Sequence, residues 1–183
     1  MAFQDDATPE ATPEEAPFAS AVEVLQYALT LEHLEATFYR LGLEQFDEAA
    51  FTAAGFQAGV REYIVAIGDH EAEHVDTLTS VIESLDETPV EEAEYDFGYA
   101  DLAGFLATAA ALENTGVSAY EGAAQYLIDE DALLTAALTI HGVEARHAAY
   151  LNVLNGTVPF PEAFDPPLTP AEVLAIAGPF IVS

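Results

Sequence analysis

The 183-residue chain contains no cysteine and no lysine, and its only permanently cationic side chains are Arg40, Arg61 and Arg146. Without cysteine there can be no disulfide, zinc knuckle or iron–sulfur cluster. Three basic residues stand against 33 acidic ones, for a formal net charge of −30. So few cations cannot neutralise phosphates, which excludes nucleic acid as a partner and disfavours an anionic membrane surface. No apolar run reaches the roughly 20 residues of a membrane span. The N-terminus also lacks a basic segment followed by an apolar one, so a cytoplasmic location is expected. An exported mature form whose leader is missing is the alternative.

Hydrophobic residues make up 51% of the chain, and the mean hydropathy is +0.20. Disordered acidic chains are poor in apolar residues, so this is a packed protein with a very acidic surface. Its length suits one domain with a substantial core. The unbalanced charge is self-repelling unless salt screens it, which points to adaptation to high salt, as in a halophile's cytoplasm. Acidic patches also draw metal cations inward. Residues 1–17, rich in Pro, Ala and acid with an ATPE echo, are expected to form a disordered tail.

Apolar periodicity predicts four long helices. The first runs from Phe18 to about Asp47 with Ser20 as cap. The second covers Val60 to Asp86 after a loop containing Gly55 and Gly59. Residues 88–100 show no sustained periodicity and read as a crossover. Asp101 caps a third helix to about Ile128, and after the acidic link 129–131 the fourth reaches about Leu154, where Asn155-Gly156 ends it. Short link, long crossover, short link describes two antiparallel helical hairpins packed as an all-α four-helix bundle over 18–154. A C-terminal extension, 155–183, carries a short helix from Pro170 to Ala177 capped by Thr169.

On these seams one motif occurs twice. Glu32 is followed seven residues later by Tyr39, then by Glu71-x-x-His74; Glu113 is followed seven residues later by Tyr120, then by Glu144-x-x-His147. Glu71, His74, Glu144 and His147 stand where leucine would normally sit, and residues three apart share a helix face. Four buried carboxylates without partners would each cost several kcal/mol or have to be protonated. Three arginines are too few to pair them all. Two divalent cations would neutralise them, and Glu and His donors suit iron or manganese, with zinc also compatible. Glu35, one turn from Glu32, competes for the same role, but the matched spacing to tyrosine favours Glu32. Glu73 should face solvent, His33 and His70 lie off the seam, and Arg146 should point outward to a surface acid. His141 is a candidate to reach toward the site. Tyr39 and Tyr120 are expected to hydrogen-bond ligand carboxylates rather than only fill the core.

This set resembles the ferritin-like superfamily of di-metal carboxylate proteins, in which two helices give one Glu each and two give a Glu-x-x-His. The resemblance spans about 18–154. It implies Glu71 and Glu144 as bridging ligands, Glu32 and Glu113 as terminal ligands, and His74 and His147 one per metal. The Glu-to-Tyr spacing resembles bacterioferritin, and the tail PLTPAEVLAIAGPFI resembles the ferritin-like group described as desiccation-related. Rubrerythrins add a cysteine cluster and a further Glu on the third helix; here there is no cysteine and that position is Gly116. Met1 is the only methionine, so haem is not expected. The proline-broken tail departs from the regular fifth helix of cage ferritins; a homo-oligomer remains open.

The resemblance implies a di-iron oxidoreductase that meets Fe(II) and O2 or H2O2, as a ferroxidase or in peroxide removal under stress. A dimanganese catalase-like enzyme is the second reading. A stress or storage protein whose metals only stabilise the bundle is the third.

Overall fold

The computed structural model describes residues 17–182. The tail expected at 1–17 lies, apart from Pro17, outside the described residues. Among the described residues the helices are, in order, α1 (Ala21–Gln45), α2 (Glu48–Ala53), α3 (Val60–Ser84), α4 (Leu102–Ala124), α5 (Asp131–Leu154) and α6 (Pro170–Ala177). α1 packs chiefly on α3 and α4 on α5, and α1 also contacts α4, so two helical hairpins dock face to face as a four-helix bundle.

Local chemistry sets the helix ends. Ser20 accepts a hydrogen bond from Glu23 N and starts α1. Asp101 does the same for α4 through Gly104 N. Thr169 and Glu172 form a reciprocal capping box on α6, with Pro170 in its first turn. α1 stops at Gln45, two residues before the expected end, because Asp47 is taken up as the cap of α2. A six-residue helix is too short to show periodicity, so the sequence reads there as loop. Likewise α4 tightens into a 3₁₀ turn over Gln125–Leu127 before the acidic link.

The crossover is ordered by alternation. Tyr95, Phe97 and Tyr99 project at period two, and Phe97 and Tyr99 meet Phe38 edge-on at ring-centroid distances of 5.1 and 5.6 Å. Its backbone pairs with the chain end: Asp96 N donates to Phe180 O, and Val182 N donates to Glu94 O. α6 packs on α4, held by Leu168 N donating to Ser118 O. At Gly122 a side chain would not fit, since an added Cβ would stand 1.9 Å from Leu168 O.

The apolar core gathers towards the two ends of the bundle. One end is aromatic, with Phe38, Phe46, Phe51, Phe97 and Phe105. The other is mainly aliphatic, with Leu25, Leu29, Leu78, Ile82 and Ile140. The carboxylates of the repeated motif occupy the middle.

Candidate metal centre

Glu32, Glu71, Glu113 and Glu144 come from α1, α3, α4 and α5, and each sits near the midpoint of its helix with 0% exposure. At mid-helix the backbone N–H groups are already spent on the helical ladder, so no cap or helix terminus can answer these charges. His74 and His147 lie one turn beyond Glu71 and Glu144 and are also buried.

The six side chains converge as two interlocked groups. Donor atoms of Glu32, Glu71, His74 and Glu144 all lie within 4.8 Å of one another, as do those of Glu71, Glu113, Glu144 and His147. Glu71 and Glu144 belong to both groups. Each imidazole turns Nδ1 inward. His74 Nδ1 is 3.2 Å from Glu32 Oε2, 3.1 Å from Glu71 Oε2 and 3.2 Å from Glu144 Oε1. His147 Nδ1 is 3.0 Å from Glu71 Oε1 and 3.2 Å from Glu113 Oε2.

The tyrosines cross between the hairpins. Tyr39 of α1 donates to Glu113 Oε1 of α4 at 2.5 Å, and Tyr120 of α4 donates to Glu32 Oε1 of α1. The pairings 32 with 120 and 39 with 113 make α1 and α4 antiparallel. The seven-residue spacing is two helical turns, the interval at which both bonds form at once.

Burial sets the electrostatics. It pushes Glu71 well above the usual carboxylate range, with Glu144 and Glu113 adding repulsion. Burial likewise raises Glu113 and Glu144 to about 8. Burial also lifts Tyr39 and Tyr120 well above the ordinary phenol value, so both remain hydrogen-bond donors. For His74 burial opposes the charge, but the adjacent carboxylates of Glu144, Glu32 and Glu71 outweigh it and carry the imidazole up to about 12. His147 goes the other way, lowered mainly by burial.

Cation demand remains unmet by the protein. Glu71 Oε1 and both carboxylate oxygens of Glu144 are buried without a hydrogen bond. Glu71 Oε1 and Glu144 Oε1 each lie close to an imidazole nitrogen, but neither is aligned to accept from it. No arginine answers them: Arg40 pairs with Glu92, Arg61 donates to the carbonyls of Phe46 and Leu43, and Arg146 donates to Gly142 O. Orphaned carboxylate oxygens facing inward imidazole nitrogens form a donor set suited to divalent metal ions.

Several neighbours differ from their sequence reading. Glu35, set aside in favour of Glu32, is buried too, and burial followed by repulsion from Glu144, Glu113 and Glu32 raises its carboxyl well above the usual range. His70, expected off the seam, stacks on His147 with Nδ1 2.9 Å from His147 Nε2. It therefore contacts the outer edge of an inward-facing imidazole, the position from which a neighbour fixes a ligand ring. His141 turns away to Glu121 at 3.5 Å, and His33 faces Val90 O. Arg146 does point outward, but to its own helix rather than to an acid. Glu73 is exposed as expected. With His70, His74 and Thr77 it borders a surface recess of about 300 Å³, and a second recess of about 260 Å³ lies beside His70 and His147. The histidine side of the cluster is thus the one nearest solvent.

Comparison with known proteins agrees with this geometry. The family model described as a ferritin-like domain matches residues 20–157. The chain is 27% identical over 160 residues to the protein rds1 of Schizosaccharomyces pombe (strain 972), an alignment covering 86% of this chain and 38% of that protein. The chain thus spans well under half the length of this curated relative. Four packed helices, a mid-bundle carboxylate and histidine cluster and the family match over most of the chain place this protein in the ferritin-like domain family.

Proposed function

We propose that the cluster holds two metal ions, iron in the first instance, and that the protein is a dinuclear oxidoreductase working with O2 or H2O2. The observation that carries this reading is the sharing of Glu71 and Glu144 between two donor groups, each completed by its own glutamate and histidine. Glu32 and His74 would hold one ion and Glu113 and His147 the other, with Glu71 and Glu144 available to both. Two divalent ions balance the charge of the four glutamates, and the orphaned oxygens of Glu71 and Glu144 gain partners. Tyr120 and Tyr39 hold the terminal carboxylates of Glu32 and Glu113 in place. His74, kept charged in the metal-free protein by the surrounding carboxylates, would serve as a neutral Nδ1 donor to that ion.

When bound, a redox-active pair supplies electrons to the oxidant. The chain's own work is to orient the donors, exclude water from the carboxylates and leave the histidine edge near solvent. Ferroxidase turnover or peroxide removal under stress, in a protein adapted to high salt, is the biological form of this reading. No helix among the described residues is long and apolar enough to cross a membrane.

The test is metal analysis of the reconstituted full chain, followed by oxygen consumption on adding Fe(II). About two metals per chain and rapid consumption are expected from the shared donor set. Absence of iron and manganese after reconstitution would sink the proposal. Oxygen evolution from peroxide by the manganese form alone would move the assignment to a catalase-like enzyme. Bound metal that stabilises the bundle without turnover would make it structural.

A further inference from the structure

One buried carboxyl is not used by the six-residue donor set. Glu35 lies one turn beyond Glu32 on α1 and is 4% exposed. Among the described residues no hydrogen-bond donor engages it and no arginine reaches it; its electrostatic neighbours are Glu144, Glu113 and Glu32. Opposite stands Gly116 of α4. A Cβ added there would be 3.2 Å from Glu144 Oε2 and 3.4 Å from Glu35 Oε1. The two carboxylates therefore converge over bare backbone, in a gap that an added methyl would crowd. Glu35 and Gly116 also border a cavity of about 10 Å³ with Thr115 and Ala177, about the room of one water. No cationic side chain lines it.

An unpaired carboxyl in an apolar interior is costly, and more so beside three others. Leucine or alanine at position 35 would fill the same seam without that cost. We propose that Glu35 is a seventh metal-ligating residue, reaching through the Gly116 gap toward the ion pair on the side of Glu144. The inference rests on the metal pair proposed above. Four carboxylates balance two divalent ions; a fifth adds one negative charge and favours a pair in which one ion is trivalent. Gly116 is then a positioning residue, whose missing side chain gives Glu35 its path.

The experiment uses the full chain loaded with Co(II), whose visible bands intensify as coordination number falls, and separately with iron held at a fixed redox poise. Wild type, Glu35→Gln and Gly116→Ala are each expected to bind two Co(II). Both variants should show stronger visible bands than wild type. Glu35→Gln should also lower the Fe(III)/Fe(II) ratio by at least about tenfold, the direction set by removing one contact charge. Gly116→Ala keeps the charge and crowds the path, so its spectral change must appear without loss of the carboxylate. Circular dichroism of each variant establishes that the helices are intact; if one fails to fold, the other carries the test. Two bound Co(II) with unchanged spectra and unchanged iron ratio, together with a more thermostable metal-free Glu35→Gln, would overturn the inference and make Glu35 a neutral buried acid. No Co(II) binding by wild type would instead overturn the metal pair itself, and this proposal with it.

Discussion

Replacing Tyr120 with phenylalanine removes one oxygen atom and leaves a buried ring in place. That oxygen donates to Glu32 Oε1 across the interface between the hairpins, so the loss falls on a single carboxylate. A hydrogen bond to a charged acceptor contributes about 1.5–3 kcal/mol. At about 1.4 kcal/mol per tenfold, this should weaken the ion proposed for Glu32 and His74 by roughly 10- to 100-fold. That matches the range measured when a partner of a metal ligand is removed elsewhere. Tyr39→Phe should do the same to the ion held by Glu113 and His147, because Tyr39 donates to Glu113 at 2.5 Å. The two substitutions must therefore weaken different ions. Competition against a fluorescent chelator, with Mn(II) added stepwise, resolves two binding constants. Each variant should show one constant near the wild-type value and one displaced. The magnetic resonance spectrum of the singly loaded protein should differ between the two variants, because the surviving strong site differs. If either substitution weakened both ions equally, or neither, the crossed tyrosines would not be holding individual terminal ligands.

Three further outcomes follow from the same geometry. Glu71→Ala or Glu144→Ala should abolish binding of both ions by equilibrium dialysis, Glu32→Ala should spare one, and the exposed Glu73→Ala should retain both. The metal-free protein should lose thermal stability as pH rises from about 5 to 8. Folding raises Glu113 and Glu144 to about 8, so in this window the folded state binds more protons than the unfolded one and stability falls with pH. Metal-loaded protein should show a flatter profile by calorimetry, and a steeper one would contradict the cluster's role. Gly122→Ala, which would place a methyl 1.9 Å from Leu168 O, should cost about 1–3 kcal/mol and expose the C-terminal segment to limited proteolysis while the bundle persists.

The bundle was legible because its seams repeat at three and four residues and its caps are local. Ser20, Asp101 and Thr169 each satisfy a backbone N–H three positions ahead, information carried by a few adjacent residues. The motif glutamates stood out because a charge on an apolar stripe is costly without a partner. Glu35 was harder to assign. It sits at the rim of the α1 stripe, and whether it faces inward depends on the size of the residue opposite, which on α4 is Gly116. His70 is adjacent in sequence to Glu71, and spacing alone rotates it off the seam; its contact with His147 depends on how α5 lies against α3. The crossover carried a visible signal at the wrong period: Tyr95, Phe97 and Tyr99 alternate as a strand does, but they lie on an aromatic cluster with a single bridge to Ile181.

The crossed tyrosines also bear on assembly. Each hairpin holds one Glu-x-x-His and one further glutamate, but the hydroxyl that steadies that glutamate belongs to the other hairpin. A hairpin folded alone would have acidic side chains and an imidazole, with no tyrosine to fix the terminal carboxylate and no second bridging residue. On the proposed metal assignment, tight capture would wait until the halves have docked in register, and a loaded centre would mark a chain that has finished folding.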